Sequence, residues 1–169
     1  KPDGTPYTYS VEPGDELIQR RFPLSRLAWL GPNGPNGVAS SVVQACFGLI
    51  WGTSDDPAYP NTPVWKYVGS SGSTKQDRIK TLDEVAADGR APNFFELLQA
   101  AVLQGSLGVN GNAGAGSGTA DYNASIQQAY PMFQILRMGA AAIDQADSDS
   151  YPTVIEYDQG GQPWLACGV

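Results

Sequence analysis

Acidic residues around position 147 have the types and spacing that suit a metal ion. Asp147 and Asp149 alternate with serines, and Asp144 lies about one helical turn before them. Calcium prefers several oxygen ligands on a flexible loop, so Asp144, Asp147 and Asp149, with Asp158 as a further ligand, predict a weak calcium site. The EF-hand pattern is not met, because Tyr151-Pro152 follows where that loop would continue. The alternative is a solvated helix end.

The absence of histidine restricts the other chemistry. It excludes Ser-His-Asp and Cys-His mechanisms and histidine-containing zinc sites. A general base would have to be a carboxylate or a lysine with a shifted pKa, and no neighbouring pair of acids is marked as catalytic by its sequence surroundings. The glycines of the 109–120 segment lack the Gly-Lys-Ser/Thr ending of a phosphate loop. We therefore predict a protein that is not an enzyme and has no cofactor other than calcium.

The two cysteines, Cys46 and Cys167, allow one disulfide or two free thiols. Free cysteine is among the most buried residue types, so a pair of buried thiols is the alternative to the bond. A disulfide would close a loop of about 120 residues and stabilise the fold by about 4–5 kcal/mol in the chain-entropy model.

Charge and composition indicate the environment of the chain. Its 169 residues carry a net charge of -7, and only 16% of them are charged, whereas Gly and Pro number 20 and 13. Arg137 is the only basic residue after Arg90. Nucleic acids and anionic lipids attract basic surfaces, so we expect neither as a partner. The composition favours an extracytoplasmic location.

No apolar run approaches the roughly 18 residues that cross a membrane. The chain begins in the turn-like segment Lys1-Pro-Asp-Gly4 and stops within a predicted strand. We therefore expect a piece of a longer protein, whose membrane anchor lies outside this sequence.

Helical periodicity predicts most of the elements. Residues 1–16 form an irregular lead-in to a single domain over residues 17–169, in which residues 109–120 are a flexible Gly-rich loop. The segment around Thr81 and Glu84 has a capping-box pattern, and Asn93 begins the next helix in the same way. The predicted helices are residues 23–30, 38–51, 82–88, 94–104 and 121–147, the last with a kink or a new start at Pro131. For residues 38–51 a strand is the alternative, because the segment is rich in β-branched residues.

Short strands complete the prediction. Alternation predicts a strand at residues 64–68, and residues 153–157 and 164–169 predict a hairpin around a turn at 158–163. The expected fold is mainly α with a few short β-strands (α+β), with a single helical core and a small hairpin. The predicted core of the last two helices is Phe94, Leu98, Val102, Phe133, Leu136 and Ile143.

Arginines and aromatic residues are candidates for an interaction surface. Arg20, Arg21 and Arg26 cluster near an aromatic side chain and could bind an anion or an acidic partner. The alternative is that they pair with the protein's own acids. Trp65 and Tyr67 could bind a sugar or a protein if they are exposed, and otherwise they pack in the core.

Five motifs follow one another along the chain. They are Arg21-Phe-Pro-Leu-Ser-Arg-Leu-Ala-Trp-Leu30, Cys46-Phe-Gly-Leu-Ile-Trp51, Ala91-Pro-Asn-Phe-Phe-Glu-Leu-Leu98, Gly105-Ser-Leu-Gly108 and Ile143-Asp-Gln-Ala-Asp-Ser-Asp-Ser-Tyr-Pro-Thr153. Each motif is weak alone, but the ordered set resembles the Verru_Chthon cassette protein A family. The resemblance covers about residue 19 to the C-terminus.

This resemblance implies a function in the bacterial envelope. The family comprises large proteins encoded beside pilin-like partners with prepilin-type N-terminal segments. It implies a non-enzymatic assembly domain of a cell-surface or periplasmic pilus-like apparatus, with pilin-like or other envelope subunits as partners. An extracellular binding module for glycan or calcium is the alternative, and a carboxylate-dependent hydrolase is a third hypothesis. The family offers no catalytic residues to transfer, and residues 1–16 lie outside the resemblance.

Overall fold

The computed structural model describes residues 22–102, 122–147 and 151–168. Within them, five helices and six short strands form a mixed α+β fold. The helices are a 3₁₀ helix at Leu24–Trp29, α1 at Ser40–Phe47, α2 at Leu82–Ala87, α3 at Phe94–Val102 and α4 at Tyr122–Ala146. The strands are β1 at Leu30–Gly31, β2 at Gly34–Pro35, β3 at Leu49–Thr53, β4 at Pro63–Tyr67, β5 at Val154–Gln159 and β6 at Gln162–Cys167.

The main sheet has four strands in the order β3-β4-β5-β6. β3 and β4 are antiparallel, as are β5 and β6, whereas β4 and β5 are parallel, with Trp65 opposite Ile155 and Lys66 opposite Glu156. A parallel pair needs a long connection, and α2, α3 and α4 lie in the one between β4 and β5. β1 and β2 form a separate two-stranded hairpin.

The core lies between α4 and one face of the sheet. Ile135, Leu136 and Ile143 of α4 are fully buried and share a cluster with Tyr67 and Ile155 of the central strands. Strand residues alternate between the two faces of a sheet, so Lys66 and Glu156 point away from this core. The 3₁₀ helix, α1 and α3 complete the cluster.

The prediction of a mainly α fold was wrong, and the main reason lies at Gly48. The helix predicted over residues 38–51 ends at Phe47, because Gly48 adopts a left-handed conformation with φ of 69° that terminates α1. The chain then enters β3, where Leu49 and Trp51 pair with β4. A Cβ at Gly48 would also press on Asn93 and Tyr67, so a larger residue has no room there.

The locally encoded elements were confirmed. Thr81 and Glu84 form the capping box of α2, and Asn93 and Glu96 exchange the corresponding bonds at the start of α3. The strand at β4 and the hairpin of β5 and β6 lie within about two residues of their predicted positions, but the hairpin turn is shorter than predicted, because the two strands extend to Gln159 and Gln162. The predicted helix at residues 23–30 is a tighter 3₁₀ helix. The last helix is continuous through Pro131, so no new helix starts there.

The predicted core of α3 and α4 was partly wrong. Phe94, Leu136 and Ile143 are buried, and Leu98 and Phe133 pack at the border of the cluster, but Val102 is exposed. Val102 is the last residue of α3, beyond the part of the helix that faces α4. The lead-in at residues 1–16, the loop at 109–120 and the stop at Gly105 lie outside the described residues.

The contact between α3 and α4 depends on a glycine, which gives a first prediction. A Cβ at Gly139 would overlap the fully buried Phe95 ring. We expect Gly139→Ala to lower the free energy of unfolding by about 1–3 kcal/mol through overpacking, although alanine is favoured in helices by up to about 1 kcal/mol. Urea unfolding would measure the change.

Gly52→Ala is the matched control, because its Cβ would meet only Lys66 carbons at 3.7 Å or more. We expect it to change stability by less than about 0.5 kcal/mol. Equal stability of the two variants would contradict the close helix contact.

Candidate functional site

The face of the sheet opposite the core carries a buried carboxylate. Glu156 is the central residue of an apolar strand segment and has an exposed fraction of 0%. Its parallel neighbour on β4 is Lys66. The pleat that directs Ile155 and Tyr157 into the core directs Glu156 to the other side, where two loops cover it.

Donors from three segments bind the Glu156 carboxylate. The Ser54 hydroxyl donates to Oε2 at 2.5 Å, and the Asp55 amide donates to the two oxygens at 3.1 and 3.2 Å. The Lys75 ammonium donates to Oε1 at 3.1 Å, and the Lys66 ammonium lies 3.8 Å from the same atom. A buried charge is very costly unless it is paired and hydrogen-bonded, and this one is both.

Asp55 completes a cluster of two acids and two lysines. Its Oδ1 lies 2.7 Å from the Lys66 ammonium and its Oδ2 lies 3.0 Å from that of Lys75. The Asp55 side chain is 54% exposed, so this acid closes the cluster on the solvent side. We call Asp55, Lys66, Lys75 and Glu156 the four-charge cluster. A cleft of about 330 Å³ lies beside it and is also lined by Ser73, Thr74 and Asp158.

The electrostatics of the four-charge cluster favour the charged forms of Asp55 and Lys75. Hydrogen bonds from Lys66 and then Lys75 lower the pKa of Asp55. Burial opposes the charge of Lys75, but hydrogen bonds to Asp55 and Glu156 outweigh it and raise the pKa of that ammonium. A nucleophilic lysine needs a lowered pKa, so this arrangement favours a structural ion cluster over amine chemistry.

A second polar cluster lies at the start of α3. Glu96 is buried and receives both terminal nitrogens of Arg90, at 2.8 and 2.5 Å, and the Asn93 amide at 2.7 Å. Ser70 accepts hydrogen bonds from Arg90 and from the Asn93 side chain. Burial, followed by the charge of Glu96, raises the pKa of Tyr67 beside this cluster. The phenol therefore stays neutral.

Two exposed ion pairs flank this second cluster. Arg78 binds Glu84 in a bidentate pair with both distances at 2.7 Å, and Lys80 lies 2.8 Å from Asp88. Arg78, Lys80 and Arg90 line a cleft of about 170 Å³. The Arg78 hydrogen bonds, supported by the Thr81 amide, lower the pKa of Glu84 to about 2. Every cation at this cleft has a carboxylate partner from its own chain.

The acids proposed for calcium are only partly brought together. Asp144 Oδ1 accepts the Thr153 amide at 2.7 Å, and its Oδ2 is buried without a hydrogen-bond partner in the described part of the chain. Asp147 follows at the end of α4, Asp149 lies outside the described residues, and Asp158 instead accepts the Gly161 amide. Among the residues that the structure describes, no group of three or more His, Cys, Asp or Glu side chains could hold a metal ion.

The two cysteines are free thiols in the structure. Cys46 is buried on α1, just before one edge strand of the sheet, and its sulfur accepts a hydrogen bond from Arg26 at 3.4 Å. Cys167 is exposed at the end of β6, the opposite edge strand. Burial raises the pKa of the Cys46 thiol, and partial burial of the sulfur together with the nearby Asp144 charge raises that of Cys167, although the Cys167 residue as a whole is exposed. The disulfide that the cysteine count allowed is not formed in this arrangement.

The interaction candidates need one correction. Trp65 and Tyr67 are both buried, because β4 is a central strand and both residues belong to the core cluster, where Trp65 contacts Trp51 and Tyr67 contacts Phe95. They therefore present no surface to a partner. Arg26 packs over the rings of Phe22 and Trp29, at 5.7 and 5.3 Å from their centroids, and Arg20 and Arg21 lie outside the described residues.

Sequence analysis missed the four-charge cluster and the buried Glu96–Arg90 pair. The available signal was a single acid inside an apolar run, since Glu156 interrupts Val-Ile and Tyr in a predicted strand. An acid at such a position requires a partner. The identity of the partners, Lys66 and Lys75, depends on pairing between segments about 80 to 90 residues apart, which no local pattern reveals.

Comparisons with protein-family profiles, with curated proteins and with solved structures give no match to this chain. In the described residues, no helix is both long and apolar enough to cross a membrane.

The burial of Glu156 gives a second prediction. We expect Glu156→Gln to lower the free energy of unfolding by about 3–5 kcal/mol, because it removes the buried charge partner of the two lysines and leaves Asp55 as their remaining carboxylate. Chemical denaturation at neutral pH would measure this loss.

Asp55→Asn is the control, since it removes an acid that contacts the same two lysines but is half exposed. We expect a loss of less than about 1 kcal/mol for this variant. Similar losses for the two variants would refute a special role for the buried acid.

The ion pair of Glu84 gives a prediction for pH. Its pKa falls from the ordinary value of 4.5 to about 2 in the folded protein, so the pair stabilises the fold above pH 4.5 and is lost as the pH falls towards 2. We expect Glu84→Gln to cost less than about 1 kcal/mol at pH 7, because the pair is partly exposed and glutamine retains the capping box.

The difference in unfolding free energy between Glu84→Gln and the parent should disappear near pH 2. Urea unfolding at several pH values tests this expectation. Asp83→Asn, an exposed first-turn neighbour, should follow the parent's pH dependence instead. A constant difference for Glu84→Gln between pH 7 and pH 2 would exclude the ion pair as its cause.

Proposed function

We propose that this chain is a non-enzymatic structural domain of a bacterial cell-surface or periplasmic pilus-like assembly, and that it binds a pilin-like subunit. The ordered motifs between residues 21 and 153 support the proposal through their resemblance to the cassette protein family. The proposal also assigns the chain an extracytoplasmic location, with an anchor provided by another segment of the protein.

The arrangement of charges supports a structural role. Both buried carboxylates, Glu96 and Glu156, are bound by donors from their own chain. A general acid or base needs a free position from which to exchange a proton with a substrate. The two clefts beside these acids are lined by cations whose partners are carboxylates of the same chain. Charges that are paired in this way are better suited to stabilising the fold than to exchanging protons with a substrate.

The observation that carries the proposal is the half-exposed Trp164 on an edge strand. Trp164 lies opposite the buried Tyr157 and is 50% exposed. β6 is the last strand of the four-stranded sheet, so its outer side has no strand partner within the described residues. Tryptophan is enriched at the energetic centres of protein interfaces, and an aromatic side chain on a rigid strand loses little entropy on binding.

The geometry of the hairpin determines how much of this edge can pair. Gly160 and Gly161 form a two-residue turn, so Gln159 and Gln162 exchange both of their backbone hydrogen bonds. Alternation then directs the backbone groups of Pro163, Leu165 and Cys167 outward. Proline has no amide hydrogen, so an added strand can use only the stretch around Leu165 and Cys167. A short extended segment of a pilin-like subunit suits this edge.

Site-specific photo-crosslinking in the native bacterium tests the proposal. A benzophenone amino acid would replace Trp164 in the complete protein, and in a control strain it would replace Gln145, which is exposed on α4. We expect a covalent adduct from position 164 with a subunit that mass spectrometry identifies by its prepilin-type N-terminal segment. We expect no such adduct from position 145.

Two results would reject this function. One is the same set of adducts from both positions, which would mean that Trp164 makes no specific contact. The other is recovery of the protein from the cytosol alone. A melting temperature measured for each variant checks that the substitution leaves the fold intact, as expected for exposed positions.

A further inference from the structure

Two Asn-Gly steps lie close together in the turn region between the 3₁₀ helix and α1. They are Asn33-Gly34 and Asn36-Gly37, and both asparagines are exposed. In an Asn-Gly step, the glycine amide nitrogen can attack the asparagine side-chain carbonyl carbon, because glycine has no side chain to block the approach. The step requires a glycine amide that is free and a backbone that can rearrange.

The structure holds Gly34 in place. Gly34 is buried and pairs with Gly31 across the two-residue turn of β1 and β2, so the two residues exchange both backbone hydrogen bonds. The Trp51 indole packs against it, at 2.9 to 3.2 Å from where a Cβ would lie. The Gly34 amide is therefore occupied, and its backbone is fixed between the hairpin and an aromatic ring.

Gly37 is in the opposite situation. It is exposed, it has φ of 70°, and no atom lies within 4 Å of the position that a Cβ would take. Its amide makes no hydrogen bond within the part of the chain that the structure describes. The Asn36 side chain is held by one exposed hydrogen bond, from Nδ2 to the Ala28 carbonyl at 3.3 Å.

We propose that Asn36 is a site of spontaneous deamidation and that Asn33, with the same dipeptide sequence, is protected by the fold. The Gly37 nitrogen forms a bond to Asn36 Cγ, its proton is transferred to solvent, and the side-chain amide leaves as ammonia. Water then opens the succinimide ring at either carbonyl. The products are aspartate, or isoaspartate in which the main chain passes through the former side chain.

The modification would change the turn that it occupies. The net charge becomes one unit more negative than the present -7. A carboxylate cannot donate to the Ala28 carbonyl, so the side-chain link between the turn and the 3₁₀ helix is lost. The backbone N–H of Asn36 also donates to the Trp29 carbonyl at 2.8 Å. Isoaspartate would displace this hydrogen bond, because it adds one carbon to the main chain.

Peptide mapping after incubation at pH 8 and 37 °C, conditions chosen to keep the protein folded, tests the proposal. The deamidated product should accumulate at Asn36 at least about tenfold faster than at Asn33, because deamidation at Asn33 requires local opening of the hairpin. Fragment ions from cleavage between Asn33 and Asn36 show which of the two residues is modified. An isoaspartate methylation assay identifies the product. Asn110-Gly111, outside the described residues, falls in a different tryptic peptide.

Two variants and an unfolded sample serve as controls. Asn36→Gln should abolish the acidic form that arises from this region, because glutamine cyclises far more slowly, whereas Asn33→Gln should leave its rate unchanged. In denaturant, Asn33 and Asn36 should deamidate at similar rates, which would attribute the difference to the fold. Equal rates in the folded protein, faster reaction at Asn33, or an intact Asn36 in the folded protein after Asn36 has reacted in denaturant would each overturn the proposal.

Discussion

The burial of Glu156 is the constraint on which the arrangement of the sheet depends. A carboxylate in the buried, apolar part of a strand must find cationic and polar partners when it leaves water. The register that sets Glu156 beside Lys66 supplies them. A shift of one residue would direct the acid into the core between the sheet and α4. The charge thus specifies the parallel pairing of β4 and β5.

The same requirement organises the loops that cover this face. Ser54 and the Asp55 amide come from the end of β3, and Lys75 comes from the segment after β4. Each loop provides some of the hydrogen bonds to the Glu156 carboxylate. The loss of one donor would therefore affect segments that are distant in sequence. Glu96 has a comparable role at α3, where it joins the Asn93 cap to Arg90. Polar contacts, more than the periodicity of apolar residues, determine these positions.

How well the sequence predicts an element depends on how far apart along the chain its stabilising contacts lie. The caps of α2 and α3, the long α4 and the last hairpin depend on contacts a few residues apart, and the sequence predicts them. β3 was assigned to the end of a helix, because Ile50 continues the helical spacing of Cys46 and Phe47, whereas the left-handed Gly48 ends the helix before it. Trp65 and Tyr67 were considered for a surface because alternation identifies a strand without revealing whether it is central or at an edge.

The candidate site was harder to predict than the fold for a related reason. A row of acids such as Asp144 and Asp147 is conspicuous in sequence, yet Asp144 binds a backbone amide of its own chain. The isolated Glu156 has the greater structural consequence. Since the charges of the clefts are matched internally, the proposed partner would have to be recognised by apolar groups at the periphery. Pro163 would limit strand addition beside the half-exposed Trp164, and the proposed edge would then favour one short partner over uncontrolled association.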